Sequence, residues 1–298
     1  MTKLLEYLEE YRKYLAESKN LSGNTVYSYC GDIQSFIKYL RGRRIYRISS
    51  VKPSHLSDFI KSLETELRSK ATISRNVASL RSFFKYLLIA GFINDNPAKA
   101  LSFERVERKI PSVMSEDEIS ALLTIPKTKD FKRIRDIAML ELLYATGIKS
   151  SELCELQIKD VNLNGGYVRC QNSKNERELP LYPSALTALR RYLRAFKAEF
   201  GYTRTSPLFV NTNGTKLSRQ GFWKIVKTYV KQLGLPEDIN AATVRNSVAV
   251  SMLERGAPTE IIQKLLGYKD ISAAEHYVRA AKDKLKTQYI RFHPRGKK

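Results

Sequence analysis

Cysteine and histidine are scarce in this chain of 298 residues, with three of each. Cys30, Cys154 and Cys170 show no CxxC spacing. Neither a zinc ribbon nor a disulfide framework is therefore expected, and the three read as reduced, mostly structural thiols of a cytosolic protein. No apolar run approaches the ~20 residues of a membrane-spanning helix. The opening stretch MTKLLEYLEEYRKYL is amphipathic and carries acids, unlike a signal peptide. The phosphate-cradling loop GxxxxGKS/T is missing, nothing resembles a metal-ligand spacing, and no cofactor is expected. Negative charge is also in short supply: 30 Asp and Glu stand against 52 Lys and Arg, a net charge of +22.

That excess of one sign favours a polyanionic partner, nucleic acid first, over a basic protein with no such role. It is spread along the chain. Residues 1–107 hold 18 basic and 11 acidic side chains (+7), and residues 108–298 hold 34 and 19 (+15). Both parts are suited to face phosphates, and a steep salt dependence of binding follows from that.

The first hundred residues read as four helices with short connections. LLEYLEEYRKYLA places Leu4, Leu5, Leu8, Tyr11 and Leu15 on one stripe. NTVYSYCGDIQSFIKYLRG follows, with Ser22 as N-cap and Gly42 just past its end. HLSDFIKSLETEL and ATISRNVASLRSFFKYLLIAG complete the set, and the Tyr and Phe at helical spacing read as core. The stretch FINDNPAKALSFERVERKIPSV then changes character, with Pro97, Pro111 and many charges. It reads as a linker over 102–112 between a helical domain at 1–101 and a second domain at 113–298. Ser115 and Glu118 form a capping box that starts the second domain. There, VRC and ELPL read as a hairpin within 167–182, and the rest is mainly helical. The fold class expected is mainly α with a small antiparallel β-sheet, in two domains.

Two stretches near the C-terminus are the most specific: NAATVRNSVAVSMLERGAP and IIQKLLGYKDISAAEHYVRA. Their spacing resembles the C-terminal signature of the tyrosine recombinase (phage integrase) family, where the second stretch runs approximately LGH-x-SIS-x-T-x-x-Y. The resemblance covers nearly the whole chain and is Xer-like. SGNTVYSYCGDIQSFIKYL and SLRSFFKYLLIAGFINDNPA resemble the family's SAM-like core-binding domain. YATGIKSSELCELQIKDVNL, KNERELPL, LSRQGFWKIVKTYVKQLGL and the terminal FHPRG resemble its catalytic domain.

The resemblance implies double-stranded DNA as the partner, gripped by both domains. It implies metal-free chemistry in which a Tyr attacks a phosphate, helped by two Arg, a Lys on a hairpin and two His or Trp positions. Tyr277 then stands at the nucleophile position, although in a chain with 17 Tyr it also reads as a buried structural residue. The phrase TG-x-R-x-SEL matches residues 146–153 and puts Lys149 where the first Arg belongs, keeping charge but losing the two-pronged fork. The hairpin phrase GKG-x-KER-x-x-PL matches Gln171–Leu181 and puts Asn172 at the active Lys. Lys174 replaces that Lys only if the turn is re-registered; otherwise it is an exposed turn residue. H-x-L-RH matches Ala242 to Asn246, so the acid/base His becomes Ala242 and Arg245 is kept. LGH becomes Leu266, Gly267 and Tyr268, whose hydroxyl can donate one hydrogen bond but cannot titrate like imidazole. His276 is expected to point away from Tyr277.

Two of six positions match. One lost donor in such a site costs about a hundred- to a thousandfold in rate, and losses within one catalytic unit do not simply add. The expectation is a DNA-binding protein of this fold with little or no strand transfer, acting by site-specific occupancy as a repressor or accessory regulator. The alternative is an active recombinase using Tyr277 in a rearranged site. Arg75, Arg81 and Arg219 join Arg245, Lys149 and Lys174 as expected DNA contacts. The segment AAKDKLKTQYIRF, with Leu285, Tyr289 and Ile290 on one face, is expected to dock as an exchange helix on another protomer, making a homo-oligomer on DNA. A partner recombinase is a further candidate, and a cytoplasmic, nucleoid-associated location is implied.

Overall fold

A computed structural model describes residues 3–102, 111–124, 129–172 and 175–292. The chain divides into two compact units, Met1–Arg108 and Lys109–Lys298.

The first unit contains α1 (Lys3–Lys13), α2 (Gly23–Gly42), α3 (Pro53–Thr65) and α4 (Lys70–Ile89). A short π-helical turn, Tyr14–Ser18, extends α1. Ser22 and Ser69 cap α2 and α4 by accepting from the N–H groups of Thr25 and Thr72, each satisfying a donor that the first helical turn leaves orphaned. The apolar stripes meet in one core in which Tyr11, Phe36, Phe83 and Phe84 are fully buried. Edge-on contacts such as Tyr11–Phe83, with centroids 5.1 Å apart, lock the rings together. Among the described residues of this unit one carboxylate is buried. Asp32 receives the Arg75 fork at 3.0 and 2.8 Å and the Ser79 hydroxyl at 2.8 Å.

The second unit is built round α6 (Phe131–Thr146), whose run from Ala138 to Leu143 is buried on all sides. It packs against α8 (Pro183–Glu199) and α10 (Ala241–Glu254). α5 (Glu116–Leu123) begins at the Ser115–Glu118 capping box, with both reciprocal hydrogen bonds made. α7 (Ser150–Glu155) leads to a three-stranded antiparallel sheet in the order β1 (Val161–Asn162), β2 (Tyr167–Asn172), β3 (Asn175–Pro180). Its register pairs Val168 with Leu179 and Cys170 with Arg177, matching the hairpin expected from alternation. α9 (Arg219–Gln232), α11 (Thr259–Leu266) and α12 (Glu275–Phe292) complete the unit. The three cysteines are free and buried, and burial pushes the Cys154 and Cys170 thiols up to about 11. Among the described residues no helix is long and apolar enough to cross a membrane.

Candidate functional site

Four local structures bring the signature residues together in the second unit. α6 ends at Gly147, in the left-handed conformation at φ 58°, with its N–H bonded to Leu143. α10 starts at Asn240, whose side chain accepts from the N–H groups of Ala242 and Thr243. α11 ends at Gly267, again left-handed at φ 68°. A single 3₁₀ turn, Ile271–Ala273, then feeds α12.

Arg245 projects from α10 into the gap between the two left-handed glycine turns. Its guanidinium donates to the Gly147 carbonyl and, at 2.7 Å, to the Leu266 carbonyl. The side chain is buried, and its charge lies 5.4 Å from the Tyr268 ring centroid. Carbonyl oxygens offset the loss of water without neutralising the charge, so Arg245 leaves a buried positive site with N–H groups still unspent. A Cβ on Gly147 would lie 2.7 Å from Leu266, so this close approach requires glycine.

Tyr277 sits on the first turn of α12 and is 2% exposed, its ring packed among Ala249, Ile262, Leu266 and Ala280. Its hydroxyl is 3.0 Å from that of Tyr268 and donates to Asn246 Oδ1 at 3.1 Å. Burial raises the phenol above its ordinary range, and the Arg245 guanidinium opposes the rise without cancelling it. His276 differs from expectation: its ring lies against that of Tyr277, with centroids 3.9 Å apart. Both residues are in the opening turn of α12, where adjacent rings can lean on each other although their Cβ bonds diverge.

The remaining positions are placed as follows. Lys149 is exposed just before α7, and its N–H donates to Glu152 at 3.1 Å. Asn172 ends β2, paired with Asn175. Lys174 lies outside the described residues. Ala242 is exposed on the first turn of α10. Arg219 opens α9 and is exposed, as is Arg81 on α4. Arg75, an expected DNA contact, is engaged with Asp32 while its side chain stays 45% exposed. Among the described residues no cluster of three His, Cys, Asp or Glu side chains forms that would hold a metal.

Sequence reading passed over an ion pair that joins elements of the site. Arg177 on β3 closes on Glu152 of α7 and also donates to the Leu265 carbonyl at 3.1 Å. Burial alone would raise the Glu152 carboxyl, but the Arg177 fork and the Lys149 N–H hold it below the usual range. The pair ties hairpin, α7 and the end of α11 into one frame. Glu152 lies between Ser151 and Leu153 and Arg177 between Glu176 and Glu178 in the sequence, so nothing local marks them as a buried pair.

A model of the phage integrase family matches residues 112–284, and one of the phage integrase N-terminal SAM-like domain matches residues 8–91. The chain belongs to the phage integrase family. It is 35% identical to the tyrosine recombinase XerD of Oceanobacillus iheyensis over 298 residues, covering 98% of this chain and all of the relative. It is 36% identical to XerC of Roseiflexus castenholzii, over 98% of this chain and 94% of the relative. Among solved structures, the XerH site-specific recombinase bound to its difH substrate in a pre-cleavage complex superposes with a TM-score of 0.74 at 18% identity. That match covers 96% of each chain. A lambda integrase dimer bound to a COC' core site gives 0.71 at 20% identity, over 92% of this chain and 94% of that one. The mainly helical, two-domain recombinase fold is thus shared along nearly the whole chain.

Proposed function

We propose that this chain binds double-stranded DNA site-specifically and transfers strands through Tyr277, as a recombinase with a reduced catalytic set. The observation that carries the reading is the Tyr277 hydroxyl 3.0 Å from that of Tyr268, whose ring lies 5.4 Å from the buried Arg245 charge, in a chain that aligns with recombinases over 98% of its length. In the step proposed, the Tyr277 oxygen forms a bond to phosphorus, and the bond to a leaving deoxyribose oxygen breaks. The phenol proton passes to solvent, and solvent supplies a proton to the leaving oxygen. Arg245 and Lys149 stabilise the charge that gathers on the non-bridging oxygens. With Ala242 in place of an imidazole, proton transfer has no side chain to carry it there, so the reaction is slow. Arg81 and Arg219 supply exposed positive charge for the DNA backbone in the first and second units. The protein acts as an oligomer on DNA, through α12 of one copy and another protomer or a partner recombinase.

A second reading is favoured by the same losses at residues 172 and 242: occupancy of a DNA site without cleavage, as a repressor or accessory factor. Incubation with a nicked suicide substrate carrying the cognate site separates the two. A covalent protein–DNA adduct that disappears in Tyr277→Phe supports the recombinase. Binding with no adduct, unaffected by Tyr277→Phe, supports occupancy.

A further inference from the structure

Asn246 follows Arg245 on α10 and stands where the family signature carries a histidine. Its carboxamide joins two elements. The Nδ2 amide donates to the Ser112 carbonyl at 3.2 Å, and Oδ1 faces Tyr277 at 3.1 Å. The hydrogen-bond directions follow one from another. A backbone carbonyl can only accept, so the amide NH2 must face Ser112 and the amide oxygen must face Tyr277. That oxygen has no proton to give, so the Tyr277 hydroxyl donates to it. With its single proton committed, the Tyr277 oxygen can only accept from the Tyr268 hydroxyl 3.0 Å away. Ser112 is itself steadied by the peptide that follows, where the Met114 N–H donates to Ser247 on α10 at 2.8 Å.

We propose that Asn246 is the positioning residue for the Tyr277 hydroxyl. It fixes the direction of the O–H bond, and with it the directions in which the phenol oxygen faces Tyr268 and the Arg245 guanidinium. A hydroxyl without such a partner turns about its C–O bond and presents its lone pairs over a wide arc. Here the arc is closed by a side chain anchored to the backbone at Ser112. An amide oxygen is far too weak a base to keep the phenol proton, so Asn246 orients the nucleophile and does not deprotonate it.

The part of this inference that concerns attack rests on the recombinase reading; the part that concerns the hydroxyl does not. The full-length protein is labelled at the tyrosine ring ζ carbons and observed by NMR without DNA. The Tyr277 resonance is identified by its loss in Tyr277→Phe. In Asn246→Ala it should move more than that of any other tyrosine except Tyr268. An unmoved Tyr277 resonance in a folded Asn246→Ala protein overturns the proposal. If that variant does not fold, Asn246→Asp keeps the size and the acceptor. The Tyr277 resonance should then acquire a titration in the carboxylate range, and its absence overturns the proposal equally. On saturating nicked substrate, Asn246→Ala should form adduct about tenfold more slowly, the worth of one neutral hydrogen bond. A moved resonance with an unchanged adduct rate overturns the role in attack. No adduct from the wild-type protein removes the recombinase reading, and the resonances still decide whether Asn246 directs the hydroxyl.

Discussion

Arg177 closes on Glu152 with both of its terminal nitrogens, Nη2 to Oε2 at 2.7 Å and Nη1 to Oε1 at 3.2 Å. The two side chains are only 10% and 4% exposed. Twenty-five residues apart in sequence, they join β3 to α7, where Glu152 also accepts from the Lys149 N–H at 3.1 Å. Arg177 also reaches the Leu265 carbonyl, so the pair braces the peptide whose neighbour, the Leu266 carbonyl, accepts from Arg245. The ion pair therefore holds in place the turn from which the Leu266 carbonyl meets Arg245.

Breaking one half of that pair leaves a buried charge alone. Arg177→Met should destabilise the protein by about 3–5 kcal/mol, the range for a buried pair that loses one partner. Chemical denaturation measures it. The pH dependence has a definite sign. Glu152 is held below its unfolded value, so its contribution is full above the unfolded carboxylate value of about 4.3. It is lost as pH falls through the lower folded value. Glu152→Gln should therefore be less stable than the wild type near neutrality, with the gap narrowing in acid.

Gly267 gives a sharper test of the same frame. It is left-handed at φ 68°, and a Cβ there would lie 2.8 Å from Arg177 Nη1 and 2.9 Å from Cζ. Gly256 is left-handed too, at φ 86°, but a Cβ there meets nothing within 4 Å. Gly256→Ala should cost only the backbone term, roughly 1–2 kcal/mol. Gly267→Ala should cost measurably more, because the Arg177 fork must move off Glu152. Equal losses in thermal unfolding would show that the Arg177–Glu152 contact contributes little.

Much of this architecture was legible in the sequence because it is local. Ser22 and Ser115 announced helix starts, since a cap and its N–H partner lie three residues apart. VRC and ELPL marked the β2–β3 hairpin because extended runs about a polar turn announce themselves locally; its residue-by-residue register came only with the structure. Arg245 and Tyr277 were found because the spacing around them is that of a known signature. What was not legible joins residues far apart. Nothing in KNERELPL says that Arg177 reaches Glu152, and nothing in AATVRNSV says that Asn246 holds Tyr277 across 31 positions. His276 was expected to point away because a helical wheel treats side chains as rays from an axis. Two bulky rings in one opening turn lean together instead.

DNA binding should weaken steeply with salt. Net charge is +22 over the chain, and exposed Lys and Arg occur in both units. A protein neutralising six to ten phosphates loses about 10³–10⁵ in affinity between 50 and 200 mM salt. Arg81→Ala and Arg219→Ala should each flatten the slope of log affinity against log salt by about one, weakening cognate and unrelated duplexes alike. Fluorescence anisotropy at four or more salt concentrations measures both slopes. An unchanged slope would remove that side chain from the phosphate contacts.

Placing at residues 149, 172 and 242 the side chains that the family resemblance implies gives the decisive test. Ala242 is exposed at the start of α10, so an imidazole can be placed there without disturbing the core. Lys149 is exposed beside Gly147, where a guanidinium would add a second fork to that of Arg245. Asn172 ends β2, paired with Asn175, at the position where the family resemblance places the active Lys. Groups that act as one catalytic unit show little of their worth singly. Ala242→His alone should therefore change adduct formation little. Lys149→Arg, Asn172→Lys and Ala242→His together should raise it by at least about a hundredfold. The gain should vanish when Tyr277→Phe is added; an adduct that survives would assign the attack to the neighbouring Tyr268 hydroxyl, 3.0 Å from that of Tyr277. A wild-type rate already matched by the triple variant would mean that this chain supplies charge and proton transfer by other groups. A triple variant that binds DNA but forms no adduct would mean that the burial of Tyr277, and not the missing side chains, keeps the site silent.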